Sequence, residues 1–121
     1  MYTILVVDDE KDIVSALEIY LKAEGYRVLA AYNGKEALSV AAREDVHLIL
    51  MDIMMPVMDG LTAAKTIRAL DRADAKTIPI FAMTANAFRE DVTRSLDAGM
   101  NEHLNKPLDM EQLLSTIQKY L

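Results

Sequence analysis

The feature that most constrains the fold is a regular alternation of short apolar runs with segments of helical periodicity. The runs are rich in aliphatic and β-branched residues and too short for helices, so they predict strands. They cover residues 3–7, 26–31, 46–51, 79–83 and 102–105, of which the last has the weakest pattern. Strict alternation of this kind predicts parallel strands joined by right-handed helical crossovers.

Five apolar stripes at helical spacing follow the five runs. They are formed by Ile13, Val14, Leu17, Tyr20 and Leu21; by Ala37, Leu38, Ala41 and Ala42; by Leu61, Ala64, Ile67 and Leu70; by Phe88, Val92 and Leu96; and by Met110, Leu113, Leu114, Ile117 and Leu121. Gly25 and Gly99 are placed to end helices, and Asp109 to begin one. We therefore predict an α/β fold, a five-stranded parallel sheet doubly wound with five helices.

Composition limits the protein to a few classes. A chain of 121 residues, 52% hydrophobic and 26% charged, predicts one globular domain spanning 1–121. No apolar run approaches the roughly 20 residues that cross a bilayer, so no membrane contact is expected. The absence of cysteine excludes disulfides, thiolate metal sites and cysteine nucleophiles, and fits a reducing cytoplasm. A formal net charge of −6 argues against direct nucleic-acid binding.

Polar residues follow the predicted strands. Asp8 and Asp9 come after the first strand, Asp52 after the third, Thr84 after the fourth and Lys106 after the fifth. Sheets of this class place function at the carboxyl ends of their strands, where the strand order reverses. In the order 2-1-3-4-5 the first and third strands are neighbours, so the three aspartates would converge.

Three adjacent carboxylates require compensation. At about 4 Å and an effective dielectric near 20, each pair repels by roughly 4 kcal/mol, so a proton or a cation must join them. Hard oxygen ligands favour Mg²⁺, which keeps waters and leaves room for a phosphate oxygen. Asp52 is then a candidate phosphoryl acceptor, with Lys106 as fixed cation and Thr84 as hydroxyl donor. Taken singly, these residues are more typical of turns and helix caps. Their joint placement favours a site.

Four motifs carry a resemblance over essentially the whole chain: VVDDE at 6–10, MDIMMPVMDG at 51–60, MTA at 83–85 and NKP at 105–107. With them the chain resembles the receiver domain of two-component response regulators, which has the flavodoxin-like receiver fold. The resemblance implies that Asp52 accepts a phosphoryl group from a phosphohistidine of a histidine kinase or histidine phosphotransfer protein. It also implies a switch that catalyses its own phosphorylation and dephosphorylation, not an enzyme with external substrates.

The resemblance also assigns the remaining site residues. Asp8, Asp9 and Asp52 would hold Mg²⁺, with Mn²⁺ as the alternative ion, and the backbone carbonyl of Met54 would complete the protein ligands. Thr84 would be the switch hydroxyl. Lys106 would pair with the acidic site and later with the phosphate, and its bond to Pro107 would be cis.

The signal would leave through the face formed by the fourth helix, fifth strand and fifth helix, where a downstream partner would dock. His103 stands where the family often has a switch Tyr or Phe; half-exposed packing without a gating role is the alternative. Phe88 and Met100 are further candidates for that face, although either could be packing. A phosphorylation-dependent dimer, a cytoplasmic location and an origin in a hybrid sensor kinase, as opposed to a stand-alone regulator, are further expectations.

Three other functions fit parts of the pattern. An aspartyl-phosphate phosphatase needs a second acid two residues after the nucleophile, where Met54 stands. A flavodoxin-like cofactor binder needs a Ser/Thr/Gly-rich loop after the first strand, where DDEKD would repel phosphate. A degenerate receiver that only docks would not need Asp9, Asp52, Thr84 and Lys106 together.

Overall fold

The computed structural model describes residues 1–55, 57–85 and 89–121, and the side chains of all of these except 89–92. Within them, strands and helices alternate throughout. The elements are β1 Thr3–Val7, α1 Lys11–Ala23, β2 Arg27–Ala31, α2 Gly34–Arg43, β3 Leu48–Asp52, α3 Gly60–Arg68, β4 Ile80–Thr84, α4 Arg89–Asp97, β5 Glu102–Asn105 and α5 Met110–Tyr120.

The strands form one parallel sheet in the order β2-β1-β3-β4-β5. This confirms the predicted fold class and strand order. The third and fourth strands end one residue later than the apolar runs, at Asp52 and Thr84. Asp52 still pairs with Met83, and Thr84 with Asn105. The polarity of the side chains could not predict these last residue pairs, because the pairing is made by backbone hydrogen bonds.

The sheet separates two hydrophobic cores, and successive strand residues alternate between them. Leu5 and Val7 pack with α2 and α3, whereas Ile4 and Val6 pack with α1 and α5. The strands β1, β3 and β4 are buried along their whole length, and the edge strands β2 and β5 are partly exposed. Burial on both faces explains why the central strands read as uninterrupted apolar runs.

Local signals at the helix ends were largely correct. Asp109 accepts hydrogen bonds from the N–H groups of Glu111 and Gln112 at the start of α5. Asn33 and Asp59 cap α2 and α3 in the same way. Gly25 and Gly99 follow α1 and α4 with φ of 94° and 95°, a left-handed conformation that glycine adopts without steric cost.

Some details of the helical stripes were wrong or fall outside the described residues. Ala42 is exposed, and Val40 takes its place on the buried side of α2. Leu96 is 58% exposed, whereas the small residues Ser95, in α4, and Ala98, just after it, are buried. Leu70 lies beyond the end of α3, although it still packs against the core. Phe88 and the side chain of Val92 are outside the described part of the chain.

Met100, a candidate for the output face, is a core residue with 3% of its surface exposed. The packing alternative is therefore the correct one for this side chain. Among the helices that the structure describes, none combines the length and the apolar character needed to cross a bilayer.

Candidate functional site

The sheet register brings the first and third strand ends together. Val7 pairs with Met51, so the next residues, Asp8 and Asp52, are neighbours at the carboxyl edge. Asp8 is fully buried and Asp52 almost so, whereas Asp9 is exposed. One carboxylate oxygen from each of the three lies within 4.8 Å of the others. The predicted convergence of Asp8, Asp9 and Asp52 is thus present in the structure.

Each buried aspartate is oriented by its own chain. Asp8 Oδ1 accepts the N–H of Glu10 at 3.0 Å, and Asp52 Oδ1 accepts the N–H of Met54 at 3.1 Å. These are Asx turns, in which a carboxylate binds the backbone two residues on. Each turn occupies only one carboxylate oxygen. An aspartate can therefore form the turn and also contribute its other oxygen to a functional site. The second oxygens, Oδ2, are left for other partners.

Lys106 supplies the cation between the two strands. Its Nζ lies 2.8 Å from Asp8 Oδ2 and 3.4 Å from Asp52 Oδ2. Its backbone N–H donates to the carbonyl of Thr84 at 2.8 Å, which ties the end of β5 to β4. The Lys106–Pro107 bond is cis, as the resemblance implied. Burial alone would lower the pKa of Lys106, but the two carboxylates raise it above its usual value.

Asp52 titrates abnormally for a carboxyl group. Burial raises its pKa to about 6, and the negative charge of Asp8 acts in the same direction. The N–H of Met54 and the ammonium of Lys106 oppose this rise, because they favour the ionised form. Asp52 is therefore ionised at neutral pH, but at a cost that an additional cation would relieve.

The residues present fit a divalent metal ion. Three carboxylates and one ammonium, −3 and +1, leave a formal charge of −2. Asp8 Oδ2 is buried with no aligned hydrogen-bond donor among the described residues, although Lys106 Nζ lies close to it. Hard oxygen donors without His or Cys are the ligands of Mg²⁺ or Mn²⁺.

Thr84 and His103 come from the two strands farther along the sheet. Thr84 is the buried last residue of β4, one position beyond the partner of Asp52. His103 lies on β5 opposite Ala82 and is half-buried. Its Nε2 is buried and has no hydrogen-bond partner among the residues described. Met54 follows at the rim, with 75% of its surface exposed.

Sequence reasoning missed the role of backbone groups at the site. It quoted Glu10 only within the VVDDE motif and gave Met54 a role at the site only through its carbonyl, yet both donate N–H groups to the aspartates. The spacing of two residues, typical of an Asx turn, was the available signal. Gly60 was quoted in a motif but given no role, and its N–H donates to the carbonyl of Ile53 at 3.2 Å.

Comparison with known proteins places this geometry in a family. The sequence-family model of the response regulator receiver domain matches residues 4–118. An uncharacterized 14.6 kDa protein of Leptolyngbya boryana is 41% identical, covering 97% of this chain and 88% of its own. The uncharacterized transcriptional regulatory protein YkoG of Bacillus subtilis is 37% identical and covers 98% of the chain. The chain spans 50% of the length of YkoG.

Solved structures of similar proteins support the same family assignment. The chemotaxis protein CheY4 of Vibrio cholerae superposes with a TM-score of 0.93 at 33% identity, covering 100% of this chain and 99% of its own. The receiver domain of sensor histidine kinase PA1611 of Pseudomonas aeruginosa gives 0.89 at 37% identity, with coverage of 98% and 96%. That structure has a magnesium ion coordinated in the active-site cleft.

The fold is thus the CheY-like, flavodoxin-like receiver fold. The chain belongs to the response regulator receiver domain family of two-component signalling. Receiver domains are phosphorylated by histidine kinases and act on output partners.

Proposed function

We propose that this receiver domain, residues 1–121, accepts a phosphoryl group on Asp52. The observation that supports this most is the arrangement around its carboxylate. Asp52 is buried beside Asp8, its Oδ1 is held by the N–H of Met54, and its Oδ2 faces Lys106 at 3.4 Å. An oriented carboxylate with a fixed cation beside it matches the needs of phosphoryl transfer, namely alignment and charge compensation.

The donor would be a phosphohistidine of a histidine kinase or a histidine phosphotransfer protein. A carboxylate oxygen of Asp52 forms a bond to phosphorus as the phosphorus–nitrogen bond of the donor breaks. The departing imidazole keeps the electron pair of that bond and takes up a proton from solvent. The products are an acyl phosphate on Asp52 and a neutral histidine.

The carboxylates of Asp8, Asp9 and Asp52 and the backbone carbonyl of Met54 would hold Mg²⁺, or Mn²⁺ as the alternative. The bound ion would supply positive charge to the phosphoryl oxygens. The formal charge of −2 at the cluster and the unaligned Asp8 Oδ2 support this assignment. A metal in the cleft of the related PA1611 receiver supports it further.

Phosphorylation would act as a switch. It replaces the single negative charge of the Asp52 carboxylate with a group that carries about −1.5 to −2 beside Lys106 and Thr84, which would favour a different arrangement of the loops that follow β3 and β4. We assign Thr84 as the switch hydroxyl and His103 as the second switch residue. His103 is half-buried on β5 with an unpartnered Nε2, so a change of its rotamer would not break a hydrogen bond among the described residues.

The readout surface would be the face of α4, β5 and α5, which would meet an output partner or, on phosphorylation, a second copy of the chain. YkoG is about twice as long as this chain, so an output region attached to such a domain is in keeping with the family. A hybrid sensor kinase is kept as the proposed origin and a stand-alone regulator as the alternative, since the similar structures include both the receiver domain of the sensor histidine kinase PA1611 and the chemotaxis protein CheY4. The domain would work in the cytoplasm as a switch, with autophosphorylation and autodephosphorylation as its only chemistry.

The test is intact-mass analysis after incubation with acetyl phosphate, with and without Mg²⁺. We expect one phosphoryl adduct on the wild type in Mg²⁺, and none on Asp52→Asn. Asp71→Asn, which changes an exposed aspartate on the segment between α3 and β4, is the matched control and should be labelled normally. A wild type that stays unmodified with acetyl phosphate and with a phosphorylated histidine phosphotransfer protein would refute the proposal.

A further inference from the structure

The loop between β3 and α3, residues 53–59 and hereafter the site loop, carries the Met54 backbone next to Asp52. Apart from residue 56, the structure describes it fully. Ile53 and Met55 are buried, and Met58 packs against the core beside α2 and α3. Met54 and Val57 point outward, with about three quarters of their surface exposed. Side chains that enter the core therefore fix where the Met54 backbone lies.

Gly60 closes the base of this loop. Its N–H donates to the carbonyl of Ile53, and a Cβ at position 60 would lie 2.3 Å from the carbonyl oxygen of Asp52 and 2.8 Å from Ile53 Cα. These are backbone atoms, which cannot turn aside as a side chain can. Any side chain at position 60 would push directly on the segment that holds Asp52.

Gly34 supports the other side of the loop, although it belongs to a different helix. It is the first residue of α2, and a Cβ there would lie 2.6 Å from the carbonyl oxygen of Met58 and 2.8 Å from its Cβ and Cγ. The φ of Gly34 is outside the left-handed region, so its conformation does not require glycine. Alanine would be the better helix former. The space taken by Met58 is therefore the reason that glycine fits here.

We propose that Gly34 and Gly60 are positioning residues for the phosphoryl and metal site. Neither has a side chain that could act at the site itself. Both let the site loop lie close to the strand end, so that the backbone of Met54 reaches Asp52 and the metal position. This inference rests on the proposed function, because it concerns the same site. Gly34 lies on a different helix, at the start of α2, and would affect the metal affinity through its contact with Met58.

The test is Mg²⁺ titration by isothermal calorimetry on the metal-free protein. Gly34→Ala should weaken Mg²⁺ binding about tenfold, the effect usually seen when a group that orients a metal ligand is lost. Gly25→Ala is the matched control. Gly25 has a φ of 94° and a Cβ there would meet nothing within 4 Å, so the substitution strains the chain without touching the loop. It should lower the melting temperature and leave the Mg²⁺ affinity unchanged.

A double variant guards against simple misfolding. Met58→Gly removes the Cβ and Cγ that a Cβ at position 34 would meet, and it gives the remaining neighbour, the carbonyl oxygen of residue 58, a more mobile backbone. We expect Gly34→Ala/Met58→Gly to fold and to bind Mg²⁺ as tightly as Met58→Gly alone. A double variant that is unfolded, or that binds more weakly than Met58→Gly, would contradict a clash at Met58.

The outcomes separate the two proposals. If the wild type does not bind Mg²⁺ and cannot be phosphorylated, the proposed function fails, whatever the glycine variants do. If the wild type binds Mg²⁺ and Gly34→Ala binds it equally well, the proposed function stands and the positioning role of Gly34 is refuted.

Discussion

At the scale of single residues, Asp52 carries an electrostatic cost. Its pKa is raised to about 6 in the folded chain, against an ordinary value of 3.8. A carboxyl group with a raised pKa in the folded state favours folding only while it is protonated. The contribution of Asp52 to the free energy of unfolding is therefore complete below about pH 4. It is lost as the pH rises to about 6, and it stays lost above that.

We predict that Asp52→Asn stabilises the metal-free protein by about 2 to 3 kcal/mol above pH 6, since a shift of one pKa unit corresponds to about 1.4 kcal/mol. The gain should shrink toward zero as the pH falls to about 4. Thermal melts of both chains from pH 4 to 8 in a chelator would measure it. A pH-independent difference for Asp52→Asn would contradict the explanation.

Val57 is strained. It is a β-branched residue with a φ of 71°, in the region that favours glycine and asparagine, and it is 74% exposed. Val57→Asn should therefore stabilise the chain by about 1 kcal/mol, read from urea unfolding. Val57→Ala removes the β-branch but lacks the short polar side chain that stabilises the left-handed conformation, and should gain less. Equal effects of the two substitutions would show that exposure, and not backbone strain, is responsible.

At the scale of elements, Arg68 connects three parts of the fold that the sheet does not join. All five of its N–H donors are used. Nε and Nη2 bind the carbonyl of Gly99, Nη2 also binds Asn101 Oδ1, and Nη1 binds the carbonyls of Ala75 and Ile78. The end of α3, the segment before β4 and the turn between α4 and β5 are thereby held together.

Arg68→Lys keeps the charge but not the planar set of five donors. It should cost about 2 to 3 kcal/mol of unfolding free energy, because part-buried carbonyls lose their partners. Urea unfolding with Arg43→Lys as control would test this, since Arg43 is exposed and ends α2. A loss equal to that of the control would mean that solvent replaces the missing donors.

These elements also show what sequence can and cannot predict. Periodicity and caps were enough for the alternation of strands and helices, the end of α1 and the start of α5, because burial on both sheet faces is expressed in composition; the strand order came from the fold class. Which side of α4 faces the core was not predictable from hydrophobicity, since the small residues Ser95 and Ala98 are buried there and Leu96 is exposed. The arginine bridges were invisible as well, because their acceptors are backbone carbonyls, which every residue carries.

At the site, too, the side chains were predictable from the sequence and the backbone contacts were not. Asp8, Asp9, Asp52 and Lys106 were predictable, because parallel strands bring their carboxyl ends to one edge and opposite charges gather there. The support from the N–H groups of Glu10 and Met54, and from the space at Gly34, comes from backbone positions. Such contributions appear only once the chain is folded.

At the scale of the whole molecule, three strand ends contribute charge to one place, so metal binding should stabilise the entire domain. At a Mg²⁺ concentration ten times the dissociation constant, the expected gain is about 1.4 kcal/mol. Differential scanning calorimetry in MgCl₂, against NaCl of equal ionic strength, would measure it. Asp9→Asn should lose most of the gain, whereas Asp71→Asn should keep it. An equal gain in both variants would place the ion elsewhere.

The paired Asx turns at Asp8 and Asp52 have a consequence for how such a protein can change over time. Each carboxylate is aimed by an N–H group only two residues away, so its direction is set within a three-residue segment. Substitutions in the hydrophobic layers can then accumulate without re-aiming the acids, provided that β1 and β3 stay in register and the packing that holds the site loop is kept. Away from that loop, a lineage can redesign its core while the reactive end of the sheet is inherited intact.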